Sequence, residues 1–292
     1  MRLVTFSSGD TAPRTGALVD GTVVDLADAG LPRDMIALIE AGGPALEATA
    51  DASEGAGARF PLDDVRLHAP VPRPPKNVMC VGRNYAEHAT EFSRSGFDAS
   101  ERSVVPPDPV IFTKAVSSII GPEEPILLDN DPTGTVDYEG ELAVVIGRGG
   151  RRIAVSDAAG HVFGYTIVND VTARDLQQRH VQWFLGKSVD TFCPMGPTIV
   201  TPDELPDVGA SWLRTRVNGD LRQEAPISDL IFDVPALIST ISATTSLEPG
   251  DVIATGTPAG AGIGSDPPRY LERGDHVEVS IDGIGTLVNP VR

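Results

Sequence analysis

The stretch Val136-Asp-Tyr-Glu-Gly-Glu-Leu-Ala-Val-Val-Ile-Gly147 decides how this chain is read. Its apolar run, Leu142 to Ile146, closed by Gly147, has the composition of a buried β-strand. Side chains on a strand alternate faces, so Glu139, Glu141, Ala143 and Val145 point the same way. Two carboxylates therefore sit side by side among apolar neighbours. Unpaired, they repel, and the burial of each anion is costly unless a cation or a proton compensates. A hard cation is one obvious remedy.

Outward from this strand, further strands are expected at Asn77–Val81, Val110–Thr113, Ile126–Leu128, Phe163–Val168, Thr198–Thr201, Leu213–Val217, Val252–Thr255, Val277–Ile281 and Thr286–Val288. Asn218-Gly219 and Asp282-Gly283 signal tight hairpins. Helices are expected only at about Tyr85–Phe92, Ala173–Phe184 and Val234–Ser242. Many strands without regular βαβ alternation predict an α+β, mostly β fold and not a Rossmann sheet. Residues 1–70 read as a small N-terminal domain. It has strands at Leu3–Phe6, Ala17–Val19 and Thr22–Leu26, a hairpin turn at Asp20-Gly21, a helix from Asp34 to Glu40 and a weakly specified stretch from Gly42 to Ala58. The proline-rich run Ala69–Lys76 marks the boundary with a second domain, 71–292. The polar segment Ser93–Pro109 predicts a long loop of the kind that serves as an active-site lid.

The chain carries 41 acidic against 23 basic residues, a formal charge of −18, which opposes nucleic acid or an anionic membrane as the main partner. Cys80 and Cys193 lie far apart, with neither a disulfide framework nor zinc-ligand spacing. No run approaches the ~20 apolar residues of a membrane span, and the N-terminus lacks the apolar core of a signal peptide. A cytoplasmic globular protein is expected.

Several segments carry candidate chemistry. In GRNYAEHATEF, Asn84 is placed to cap a helix with Glu87 three residues on, and His88 and Glu91 share one helix face. A carboxylate beside an imidazole equips it to take a proton from water, although a solvated polar face has the same spacing. In GYTIVNDVTARDLQ, Asp170 ends a strand, Thr172 is a candidate helix cap, and Arg174 and Gln177 are spaced to face one pocket; a capping role for Asp170, paired with Arg174, is the alternative. Lys187 lies in FLGKS, where Val181 stands in place of the glycine that a phosphate-binding loop needs. It either serves a carbonyl or carboxylate, or is a lysine lying along the surface. The small-residue loop from Thr255 to Gly264 offers backbone N–H groups and the Thr255 or Thr257 hydroxyl to a ligand, but its glycines do not match a dinucleotide fingerprint.

The succession CVGRNYAEHATE, PVIFTK, DYEGELAVVIG, GYTIVNDVTARDLQ, FLGKS, VNG and LEPGDVIATGTPAG closely resembles the fumarylacetoacetate hydrolase family, collinearly over about residues 77–290. The resemblance implies a mixed β-roll catalytic domain behind a small N-terminal α/β domain, and a homodimer. It implies a divalent metal, Mg²⁺ or alternatively Mn²⁺ or Ca²⁺, on Glu139, Glu141 and Asp170, a set of oxygen donors that suits such an ion. It places the catalytic dyad on His88 and Glu91, a catalytic lysine on Lys187, and substrate binding on Arg83, Tyr85, Arg174, Gln177 and Thr257. The activity implied first is hydrolysis of a C–C bond in small anionic 2,4-dioxo acids of the acylpyruvate or fumarylpyruvate type, through a metal-stabilised pyruvate enolate. Isomerisation of hydroxymuconate-type diacids from aromatic catabolism, or decarboxylation of oxaloacetate, would use the same enolate. A non-catalytic protein with a structural metal is the reading from another class; it leaves His88, Glu91 and Lys187 without a purpose.

Overall fold

The computed structural model describes residues 1–55, 57–96 and 104–292. Among them, twelve strands form one mixed sheet. Its path runs through Arg59–Pro61, Thr22–Asp25, Arg14–Val19, Arg2–Ser7, Cys193–Val200, Val162–Asn169, Gly140–Ile146, Val252–Ala254, Val78–Gly82 and Val110–Lys114. Short strands Arg66–His68 and Ile119–Ile120 pair off this path. Strand Gly140–Ile146 is central, hydrogen-bonded on one side to Val162–Asn169 and on the other to Val252–Ala254, so every residue in it is buried.

Its two faces go to different cores, as period two demands. Leu142, Val144 and Ile146 pack with a four-stranded antiparallel sheet (Asp220–Pro226, Trp212–Val217, His276–Ile281, Gly285–Pro290) and with Leu237, Ile238 and Ile241 of helix Val234–Thr244. Ala143 and Val145 pack with Leu38 and Ile39 of helix Met35–Glu54. At Gly140 the two sheets come so close that a Cβ would meet the Thr215 hydroxyl and Val279 Cγ1, the latter at 2.8 Å, which leaves room for glycine alone. The architecture is mixed α+β and strand-dominated. Strand Arg2–Ser7 pairs with Cys193–Val200, so residues before and after the proline-rich run share one sheet.

The hairpins at Asp20-Gly21, Asn218-Gly219 and Asp282-Gly283 form as expected, the first two with both turn residues at positive φ. Four local expectations are corrected, the first being the cap at Thr172: its hydroxyl donates to the Asp170 carbonyl, and helix Arg174–Arg179 starts without a side-chain cap. The helix expected over Ala173–Phe184 is two short ones, Arg174–Arg179 and Phe184–Lys187, with a reversal at Val181 (φ 59) that swings Lys187 back toward the sheet. Ile126–Leu128 is no strand: Ile126 makes an isolated bridge to Val291, and Leu128 begins a 3₁₀ turn. Asn84 does not cap a helix either. Its amide donates to the Thr255 and Phe232 carbonyls and accepts from Phe232 N–H, tying two loops together, while helix Ala86–Arg94 starts without a side-chain cap. Of the expected lid, Ser93 and Arg94 end that helix, and residues 97–103 lie outside the described residues.

Candidate active site and metal centre

The carboxylates of Glu139, Glu141 and Asp170 converge, each buried and each offering an oxygen within 4.8 Å of the others. Pairing of Gly140 with Asn169 in the central sheet sets Glu139 and Asp170 beside each other just beyond it, and Asp170 N–H donates to the Glu139 carbonyl (2.7 Å). Three buried cations meet these anions. Lys187 Nζ donates to Glu139 Oε2 and Asp170 Oδ2, both at 2.7 Å; Lys114 Nζ donates to Asp170 Oδ1 at 2.6 Å; Arg174 Nη2 lies 2.6 Å from Glu139 Oε1. A fourth buried carboxylate, Asp137, takes the other edge of Arg174, with its Oδ2 2.9 Å from Nε and 2.8 Å from Nη2.

This leaves Glu141 without an ion pair within 4.0 Å among the described residues; Gly256 N–H donates to it at 2.8 Å. Burial pushes its carboxyl well above the usual range, and the anions of Asp170 and Glu139 add to the effect. Burial alone would also raise Glu139, but Arg174, Lys187 and His88 override it and hold that carboxyl far below its ordinary value. Lys187 is shifted upward, because Asp170 and Glu139 outweigh the effect of its burial. Four buried carboxylates against three cations, with the uncompensated one in an all-oxygen cluster, is a donor set that fits a hard divalent ion. Glu139, Glu141 and Asp170 would hold it.

His88 faces this cluster from helix Ala86–Arg94. Its Nε2 is 4.0 Å from Glu139 Oε1, and its Nδ1 is 3.0 Å from Glu91 Oε2, so the i, i+3 pair forms as spaced. Gly260 N–H holds the other Glu91 oxygen at 2.9 Å. A narrow cleft opens in front of these groups. Arg83, His88, Glu139, Glu141, Gln177, Lys187 and Thr257 line it, with Phe92, Phe112 and Trp183 as apolar walls. The walls pack edge to face, Trp183 lying 5.2 Å from Phe112 and 5.8 Å from Phe92 between ring centroids. Arg83 adopts φ 57 in the turn between strand Val78–Gly82 and the helix, and its guanidinium stacks 5.2 Å from the centre of the Phe92 ring.

Two residues expected at the substrate stand back from the cleft. Arg174 is wholly buried, with its guanidinium engaged by Asp137, Glu139 and the Gln177 side-chain carbonyl. Tyr85 is 3% exposed, and its hydroxyl has no hydrogen-bond partner among the described residues. Two residues that sequence reasoning missed are central. Lys114 closes the apolar run of PVIFTK, and an unexplained lysine there was a signal. Asp137 precedes Glu139 by two, the same-face spacing already noted for Glu139 and Glu141.

Residues 77–292 match the family model for fumarylacetoacetate (FAA) hydrolase, C-terminal. The chain is 50% identical over 232 residues to oxaloacetate tautomerase YisK of Bacillus subtilis (strain 168), covering 80% of this chain and 75% of that protein. Among solved structures it resembles a fumarylacetoacetate hydrolase from Exiguobacterium antarcticum, with a TM-score of 0.84 and 44% identity over 100% of this chain and 99% of the other. It also resembles maleylpyruvate hydrolase from Sphingobium sp. SYK-6 in complex with manganese(II) and pyruvate, with a TM-score of 0.80 and 32% identity over 100% and 98% of the two chains. With this match across its whole sheet and site, the chain belongs to the fumarylacetoacetate hydrolase family, a family of enzymes.

Proposed function

We propose that this protein interconverts the enol and keto forms of a small 2-oxo diacid of the oxaloacetate type, acting as a homodimer with Mg²⁺, or in its place Mn²⁺ or Ca²⁺. The observation that carries the reading is the His88–Glu91 pair, set 4.0 Å from Glu139 at a cleft lined by Arg83, Gln177, Lys187 and Thr257. The 50% identity to a tautomerase supports the choice of reaction. When bound by Glu139, Glu141 and Asp170, the divalent ion would supply positive charge against a developing enolate.

The chain's own residues do the rest. His88 Nε2 faces the cleft and moves the proton at substrate C3. Glu91 on Nδ1 fixes the ring orientation. Lys187, already shared between Glu139 and Asp170, offsets their negative charge and adds positive charge beside the enolate oxygen. Arg83, Gln177 and Thr257 bind the substrate carboxylates, and Arg174 acts through Glu139 and Gln177. Phe92, Phe112 and Trp183 exclude bulk water.

A second reading, hydrolysis of a C–C bond in 2,4-dioxo acids, is favoured by the likeness to maleylpyruvate hydrolase. There the same His88 would deprotonate a water that attacks the distal carbonyl, and the leaving group would again be a pyruvate enolate. Decarboxylation of oxaloacetate or isomerisation of hydroxymuconate-type diacids would need the enolate but no positioned water.

The test follows the ultraviolet absorbance of enol-oxaloacetate, alongside a panel of 2,4-dioxo acids, with Mg²⁺, Mn²⁺ or EDTA. Accelerated ketonisation that is lost in EDTA and in His88→Ala is expected. Cleavage of dioxo acids without faster ketonisation would replace the tautomerase reading by the hydrolase one. No turnover of any substrate by metal-loaded protein would remove both.

A further inference from the structure

Gly140, the residue between Glu139 and Glu141, is hydrogen-bonded by side chains at the point where the sheet opens. Strand Val252–Ala254 covers one edge of the central strand from Val145 to Ala143, and Thr255 N–H carries on to the Leu142 carbonyl at 2.9 Å. At Gly256 (φ 107) the chain leaves the sheet, and Gly256 N–H turns to Glu141 Oε2. Further along the same edge, Gly140 N–H donates to Gln223 Oε1 at 3.0 Å, and the Gly140 carbonyl accepts from Thr257 Oγ1 at 2.9 Å. Gln223 comes from strand Asp220–Pro226 of the four-stranded sheet and is 1% exposed.

The direction of each bond is forced. A backbone N–H can only donate, so the Gln223 oxygen faces Gly140, and Nε2 donates at 2.8 Å to both Thr257 Oγ1 and the Pro258 carbonyl. Thr257 Oγ1 accepts there, so its own hydrogen goes to the Gly140 carbonyl. Gly140, Gln223 and Thr257 thus close a ring that runs one way round, in which each bond polarises the next. With its hydroxyl hydrogen committed, the donor that Thr257 keeps for a substrate carboxylate is its main-chain N–H, for which there is no acceptor among the described residues.

A buried amide on the inner face of a sheet is costly unless its bonds are filled. Here they are filled at the site. Gln223 Oε1 holds the peptide that joins Glu139 to Gly140, and through Thr257 the same side chain holds the peptide that joins Gly140 to Glu141.

We propose that Gln223 is a positioning residue of the metal centre, fixing through this ring the two peptides that set Glu139 and Glu141 against one ion and tying them to Thr257 in the cleft. This role rests on the metal-centre reading of Glu139, Glu141 and Asp170 given above. Gln223 touches neither the ion nor the substrate and acts through the backbone of the residues that do.

The test is Mn²⁺ affinity without substrate, read from the electron paramagnetic resonance of free Mn²⁺ well below the melting temperature of each protein. A general loss of stability would lower that temperature and leave the affinity of the folded protein unchanged. Gln223→Met keeps the length of the side chain and drops its hydrogen bonds; it is expected to weaken Mn²⁺ binding by about tenfold or more, as the loss of an outer partner of a metal ligand does. Thr257→Val opens the ring at its other side chain and should weaken binding similarly, whereas Thr257→Ser should stay within about threefold of the parent. Because the two side chains act as a unit, the double variant Gln223→Met, Thr257→Val should bind within about twofold of the weaker single variant.

Gln223→Met protein that binds Mn²⁺ within about twofold of the parent overturns the role. Single effects that multiply in the double variant, or Thr257→Ser as weak as Thr257→Val, overturn it too. Should Gln223→Met not fold, the comparison of valine with serine at Thr257 tests the same ring. A parent that binds no Mn²⁺ sinks the metal-centre reading as well; a parent that binds it, with Gln223→Met unchanged, sinks the role of Gln223 alone.

Discussion

Lys114 Nζ lies 2.6 Å from Asp170 Oδ1, with both side chains fully excluded from solvent. Lys114 also donates to the Val171 carbonyl at 2.9 Å, so it pins the turn that carries Asp170 into the acidic cluster. Removing one partner of a buried ion pair strands the other. Lys114→Met is therefore expected to lower unfolding free energy by ~3–5 kcal/mol. Urea denaturation in EDTA measures this, and a loss below about 1 kcal/mol would show that Lys187 alone suffices to hold Asp170.

Glu141 makes the opposite prediction. Its carboxyl is pushed upward by burial and by the neighbouring anions, so its ionised form opposes folding of the metal-free chain. That penalty is absent below the unfolded-state pKa of about 4.3 and grows as pH rises toward the raised folded-state value. Glu141→Gln removes it. In EDTA near neutral pH the variant should melt about 2–4 °C above the parent, yet lose the stabilisation that Mg²⁺ or Mn²⁺ gives the parent. Thermal melts with and without metal decide it; a lower melting point in EDTA would contradict the charge count of the site.

Asp137 links two parts of the site that are remote in sequence. It accepts from Gly262 N–H (2.7 Å) and Ile263 N–H (3.1 Å), and it pairs with Arg174, which in turn neutralises Glu139. The loop it anchors carries Gly260, the donor to Glu91. Asp137→Asn keeps one acceptor but removes the charge. Its kcat should fall by about tenfold or more with little change in KM. Steady-state kinetics normalised to the folded fraction, read by circular dichroism, separates this from a general loss of fold, which would also lower apparent kcat at unchanged KM.

Gly82 sets the width of the cleft. A Cβ there would meet Trp183 Cζ3 at 2.5 Å and Cη2 at 3.0 Å. Gly82→Ala should displace Trp183, shift the tryptophan fluorescence and cost up to about 10²-fold in kcat/KM through misplacement of the substrate. Unaltered fluorescence together with unaltered kcat/KM would mean that the indole does not shape the bound state.

Much of the fold was legible because it rests on local rules. The alternation in Glu139–Ile146 separates two cores, and turn pairs such as Asp20-Gly21 and Asn218-Gly219 take left-handed φ values in hairpins. Asp34 caps its helix through Ala37 N–H, a bond within three residues of sequence. The misreadings arose where a long-range partner outbid a local one. Asn84 bonds to Phe232 and Thr255 and not to its own helix, and the 173–184 helix breaks at Val181.

By itself the sequence determined which residues could carry the chemistry: the paired glutamates, the His88–Glu91 spacing, Asp170 at a strand end and Lys187 near an apolar run. Only the tertiary structure decided how their charge is balanced. Lys114, Arg174 and Asp137 reach the cluster from three separate segments, and Glu141 is left over once they are paired. The physical reason is that burial multiplies every electrostatic interaction, while which cation meets which anion depends on distances of a few ångströms between residues far apart in the chain.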